Sequence, residues 1–205
     1  MQRLAVVISA ILHPLLMPLL AIVIAFNFDW YLSGRLDSQQ EYLIYLVIAI
    51  STMAFPAINI LLLRWYGMVT SLEMPARKER VAPFLSTVFF FALGYYLLRK
   101  GTLPTTIFSI FLGCMATLVI LSLINFKWKI SAHSAGIGGV LGSTMALFSI
   151  HEFGNVWLAT VLIICVGLTM TARLVLNAHS PSQVYGGAVL GFSITYLVVF
   201  YQWFI

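Results

Sequence analysis

Apolar residues run along this chain in seven blocks with almost no polar interruption, at residues 4–26, 42–63, 84–98, 105–126, 137–150, 156–172 and 184–205. A helix needs about 20 consecutive apolar residues to cross a hydrocarbon core, so most of these blocks predict spanning helices. The blocks at 84–98 and 137–150 are short for a span. Each is expected to extend into its polar flank, to tilt, or to form part of a helical hairpin. Strand-like alternation is absent, which disfavours a β-barrel. The pattern predicts an all-α, polytopic bundle of six or seven transmembrane helices, folded as a single integral-membrane domain over residues 1–205. Arg3 ahead of the first block resembles the start of a signal peptide, but the block exceeds the usual apolar core of about 7 to 15 residues. It is read as the first transmembrane helix.

What the apolar blocks leave over is informative because it is so little. Charged residues make up 8% of the chain, against about 25% in globular proteins. Cations and histidines gather in three polar islands: Ala76-Arg77-Lys78-Glu79-Arg80-Val81-Ala82-Pro83, Ser131-Ala132-His133-Ser134, and Arg173 followed by His179. With seven spans, the loops at 64–83, 127–134 and 173–183 all fall on one membrane face, so the islands are expected to meet around an anion. That face carries Arg3, Arg64, Arg77, Lys78, Arg80, Lys127, Lys129 and Arg173, and the other only Arg35, Arg99 and Lys100. The positive-inside rule applied to the full set makes the islands cytoplasmic; if Arg77, Lys78, Arg80 and Arg173 hold substrate, four stand against three and the side is open. The net charge of +5 is scattered over short loops, which suits anionic lipid headgroups and the bilayer surface as partners rather than nucleic acid. Cys114 and Cys165 lie inside apolar blocks and read as small hydrophobes.

Local chemistry sharpens the third island. Ser180, Pro181 and Gln183 predict an N-cap, a first-turn proline and a capping-box glutamine. His179 then sits just ahead of a helix N-terminus, where backbone N–H groups and the helix dipole favour an anion. Arg173 lies six residues earlier and can reach His179 only across a helix-loop-helix corner. In the second island, small residues from Ser131 to Gly139 let backbone N–H groups approach a phosphate, and His133 can offer a proton. Gly138 and Gly142 have the GxxxG spacing of close helix packing. His13, beside Pro14 in the first block, is read as satisfying a carbonyl freed by a proline kink. His151 and Glu152, on the face opposite the islands, are read as solvated.

The order and spacing of these residues, with Ser-Ala-His ahead of Arg-x5-His, resemble the type 2 phosphatidic acid phosphatase (PAP2) superfamily, which also includes vanadium haloperoxidases. Its motifs run approximately KxxxxxxRP, PSGH and SRxxxxxHxxxD, and the same order is kept here over roughly residues 70–200. The resemblance implies a PAP2-like helical core in which His179 takes the phosphoryl group, His133 protonates the leaving oxygen, and Arg173 with Ser131 cradles the phosphate. It implies no metal and no cofactor. Departures are specific: Ile130 stands in place of Pro, Ala132 of Gly, Ala172 of Ser, and Gln183 of the Asp that orients the nucleophilic His. Gln183 can accept the imidazole hydrogen bond but cannot offset imidazolium charge. The first motif matches loosely, with Glu73 at the lysine position and Val81 at the proline, so Arg77, Lys78 and Arg80 are the phosphate-binding candidates there.

The sequence therefore points to a multi-pass protein of a bacterial-type cell (inner) membrane. Its expected activity is hydrolysis of a lipid phosphate or pyrophosphate through a phosphohistidine, the partner being a phosphorylated membrane lipid. The alternative is a catalytically weakened relative that binds or transports such a lipid. A prenyl-transferring enzyme would need aspartate-rich Mg²⁺ sites, and Asp29 and Asp37, the only aspartates, fall on the other face.

Overall fold

Proline and glycine decide how the apolar blocks are cut into helices. The computed structural model, described for residues 1–72, 74, 76–152 and 154–202, is all-α, and no strand occurs among the described residues. The first block is broken in the middle. Helix α1 (Gln2–Ile11) stops ahead of Pro14, a single 3₁₀ turn (Pro14–Leu16) follows, and α2 (Met17–Phe28) resumes. Pro14 has no N–H to continue the ladder, and His13 caps the new turn by accepting the Leu15 N–H at Nδ1, 3.3 Å away. His13 thus has the structural place at the break expected of it, but it accepts from an N–H group rather than satisfying a freed carbonyl. A short helix α3 (Trp30–Ser33), capped by Asp29, turns the chain into α4 (Ser38–Ala49). The second block is also bent: a π-turn at Ile50–Ala54 precedes α5 (Phe55–Trp65), whose second residue is Pro56. The hydroxyl of Thr52 in that turn donates to the Leu15 carbonyl, joining the two bent spans where each is weakest.

The two short blocks both extend into their polar flanks. A 3₁₀ turn at Arg77–Arg80 feeds α6 (Val81–Leu98), and α8 (Ala132–Ile150) begins within the second island. With α7 (Thr105–Asn125), α9 (Val156–Val175) and α10 (Pro181–Tyr201) the bundle is complete. Six helical stretches among the described residues are long and apolar enough to cross a membrane, which makes this a multi-pass membrane protein. Helix α8 is not one of the six. It lies at the centre, packed on α10, α9, α2 and α7.

Backbone contact rather than large side chains joins α8 to α10. A Cβ on Gly138 or Gly142 would overlap the carbonyl oxygen of Ala188 or Phe192, and one on Gly187 or Gly191 would overlap that of Ser131 or Ala135. The GxxxG spacing in α8 thus performs the packing expected of it, and a second pair at the same spacing in α10 answers it. Thr195 crosses the seam, its hydroxyl donating to the Gly139 carbonyl at 2.8 Å. On the face away from the islands, His151 is not solvated as expected: its ring pairs with the buried carboxylate of Asp29 and lies against Tyr31, with ring centroids 4.4 Å apart. Glu152 is exposed, as expected.

Candidate active site

The third island forms one tight corner. Helix α9 ends in a Schellman motif, with Asn177 in the left-handed region (φ 50°), the Ala178 N–H bonded to the Arg173 carbonyl and the Asn177 N–H to the Leu174 carbonyl. Asn tolerates that conformation better than most residues, and the reversal brings His179 back over the last turn carrying Arg173. Ser180 and Gln183 then start α10 with the expected capping box. Gln183 Oε1 accepts the Ser180 N–H at 3.2 Å, which fixes the orientation of its amide, and the same oxygen lies 3.1 Å from His179 Nδ1. The Lys129 carbonyl is 3.2 Å from that nitrogen as well. Two acceptors at Nδ1 require the proton there, so Nε2 keeps its lone pair in the neutral ring.

The second island is held against this corner by its backbone, the Ser131 N–H donating to the Gln183 carbonyl at 3.2 Å. Ser131 is fully buried and caps α8, its hydroxyl oxygen accepting from the Ser134 N–H at 3.3 Å and the Ser134 hydroxyl at 3.1 Å. Two residues on, His133 hydrogen-bonds the backbone of Ser9. Ser9 lies in the last turn of α1, where carbonyls have no intrahelical donor, so the break at Pro14 supplies an acceptor that orients the His133 ring. The Arg173 guanidinium reaches the same residue, Nη1 donating to Ser9 Oγ at 3.3 Å.

From the first island, Arg80 is turned inward, 6% exposed, with Nε donating to the Met74 carbonyl at 3.0 Å. Arg77 and Lys78 are exposed. Arg77 acts as a strut, donating to the Lys127 carbonyl while its own carbonyl accepts from Asn125. The three islands therefore meet on one face. The alignment of Glu73 with the family lysine falls outside the described residues; Val81 opens α6 and Pro83 lies in its first turn.

Arg80, Arg173, His133 and His179 line one cavity of about 660 Å³, and His13 lines it with them. Ser131 and Gln183 stand behind these side chains, and Arg77 and Lys78 lie outside the lining. The remaining wall is mostly apolar, including Val6 and Ala10 of α1, Ile60 and Leu61 of α5, and Phe84 of α6, with hydroxyls from Ser9, Thr87, Thr117 and Thr195. Among the described residues no carboxylate lines it, and no group of three or more His, Cys, Asp or Glu is placed to hold a metal ion. Burial, then the nearby charge of Arg80, pushes His179 down to about 4; the Gln183 hydrogen bond opposes this, and Arg173 and Lys129 add to it. His179 is neutral at pH 7. The Lys129 ammonium is also pushed down, by burial and by Arg80 and Arg173.

Two contributors escape a reading of motifs, His13 and Ser9. Their signal was a histidine beside a proline inside an apolar span, which marks a break without saying what faces it.

The PAP2 superfamily model matches residues 122–205, consistent with a PAP2 superfamily member. The match takes in the second and third islands and supports a phosphatase-family relationship; the first island and α1 lie outside it. No curated protein and no solved structure matches the chain.

Proposed function

Taking PAP2 kinship as the premise, we propose that the protein hydrolyses a phosphorylated membrane lipid through a phosphohistidine on His179. The observation that carries this reading is the tautomer of His179, with Nδ1–H occupied by Lys129 and Gln183 and the Nε2 lone pair available at the cavity. Attack of Nε2 on the phosphorus breaks the bond to the lipid oxygen, which takes a proton from His133, doubly protonated once the anionic headgroup is bound. Arg80 and Arg173 stabilise the charge spread over the equatorial oxygens, the electrostatic task that dominates phosphoryl transfer. Water then attacks the phosphohistidine with His133 as base, releasing inorganic phosphate. The apolar wall takes the first part of the lipid tail, and the backbone of Ser131 holds the second island in register with α10.

Gln183 motivates a second reading. An amide stabilises the His179 cation less than a carboxylate does, so a weakened relative that binds or moves a phosphorylated lipid is the competitor. Phosphate release by detergent-purified protein from a panel of lipid phosphates, with chelator present, separates the two. Release that disappears in His179→Ala supports the enzyme; tight binding with no release from any lipid supports the binder.

A further inference from the structure

The cavity has a mouth that faces the bilayer. Among the described residues that line it, the exposed ones are Val6 and Ala10 of α1, Ala57 and Leu61 of α5, and Leu72; those contributed by α6 to α10 are buried or half-buried. Val6 and Ala10 lie four residues apart, as do Ala57 and Leu61, so each pair forms one stripe on its helix. Ala5 and Ser9 form the neighbouring, buried stripe of α1, and Arg173 of α9 donates to Ser9. Helix α1 leans on α9 and α5 leans on α6, which leaves the two lining stripes as the rims of a slot.

The slot has a definite depth. Leu15 is the middle residue of the span Gln2–Phe28, and Thr52 is one of the two at the middle of Ser38–Trp65. The Thr52 hydroxyl donates to the Leu15 carbonyl at 3.4 Å, so the spans are joined halfway along, at the breaks made by the turn at Pro14 and by the π-turn. On the far side of that joint α2 packs against α4. On the island side the slot follows α1, whose ten residues rise about 15 Å, half of a hydrocarbon core of about 30 Å. It therefore opens to one leaflet. Its rims are apolar and lie where the bilayer holds no water, which suits a hydrocarbon chain, and Arg80 and Arg173 line the same cavity. We propose that a phosphorylated lipid enters sideways from the leaflet on the island face, its headgroup passing to Arg80 and Arg173 while one tail stays between α1 and α5. The proposal rests on reading the cavity as the phosphoryl site. Neither rim helix lies within the family match, so the entrance is built by the part of the chain that the family model does not cover.

The test measures binding of two non-hydrolysable probes, butylphosphonate and hexadecylphosphonate, to the full chain in phosphatidylcholine nanodiscs. Ala57 lies eight residues from the island end of α5, about 12 Å deep, beyond the reach of the butyl chain. Ala57→Trp is expected to weaken hexadecylphosphonate about tenfold or more, the scale of forcing bulk into an occupied apolar space, and to change butylphosphonate by no more than about threefold. Leu46→Trp, at an exposed position in the other half of the same span, is expected to leave both probes binding as in wild type. Equal losses for the two probes, no loss for the long one, a loss as large in Leu46→Trp, or no binding of the long probe to wild type overturns the proposal. Leu61→Trp, on the same stripe, repeats the comparison if Ala57→Trp melts early. Arg173→Gln is a separate arm: if both probes bind it as they bind wild type, the phosphoryl reading of the cavity fails, and hexadecylphosphonate binding to the Ala57→Trp and Leu46→Trp variants still judges the entrance.

Discussion

His179 is surrounded by three cations, and its imidazole is neutral far below the pH at which histidine ordinarily protonates. Protonation removes the Nε2 lone pair, so activity is lost as pH falls through the value of the free protein. The acid limb of kcat/KM assigned to His179 is therefore expected near pH 4 rather than near 6.5. Gln183→Glu places a carboxylate at the same reach to the Ser180 N–H and His179 Nδ1, which stabilises the imidazolium. The limb should move up by a unit or more and kcat should rise; an unmoved limb in a folded variant would show that Gln183 does not control the charge of His179. Asp, one methylene shorter than Gln, spans the 3.1 Å hydrogen bond less well from the same backbone position. At this scale the corner was largely legible, because Ser180, Pro181 and Gln183 act within one turn of chain. Arg80 was not separable from Arg77 and Lys78, since three cations in four residues look alike until one is buried against the Met74 carbonyl.

Helix α8 shows what an element can hide. Its sequence is too polar and glycine-rich to pass as a free-standing span, yet it sits at the centre because its glycines accept the backbone of α10. Gly191→Ala drives a methyl group into the Ala135 carbonyl and is expected to cost about 3 kcal/mol, the upper end of the usual range for overpacking. Gly167 in α9 faces open space, so Gly167→Ala is expected to be neutral or to stabilise by up to about 1 kcal/mol through helix propensity. Thermal unfolding of the two variants in one detergent reads the difference; equal melting points would contradict the close seam. The GxxxG in α8 was visible in the sequence, whereas the breaks in the first two blocks were only hinted at by Pro14 and Pro56. Hydropathy sums residues without regard to which N–H groups are missing.

Across the whole molecule, the polar features divide between two faces with different tasks. The island face gathers cations, with no carboxylate at the cavity among the described residues, and the opposite face holds a buried His151–Asp29 pair that ties the start of α3 to the end of α8. Removing one partner strands a buried charge. His151→Ala is expected to lower stability by about 3 kcal/mol while leaving the dissociation constant for a lipid phosphonate within twofold, measured by denaturation and by titration. A shift in that constant would mean that the two faces are coupled. The meeting of the islands was legible from the parity of the spans alone, but this pair was not, because its residues lie 122 positions apart and neither forms part of a local pattern. The central claim, that His179 carries the phosphoryl group, is tested most directly by rapid quench of the protein with a lipid substrate labelled in its terminal phosphate. An acid-labile, base-stable phosphoenzyme in wild type that is missing from a folded His179→Ala variant is the result expected. Label retained in that variant, or phosphate released by wild type with no phosphoenzyme at any time, would contradict it.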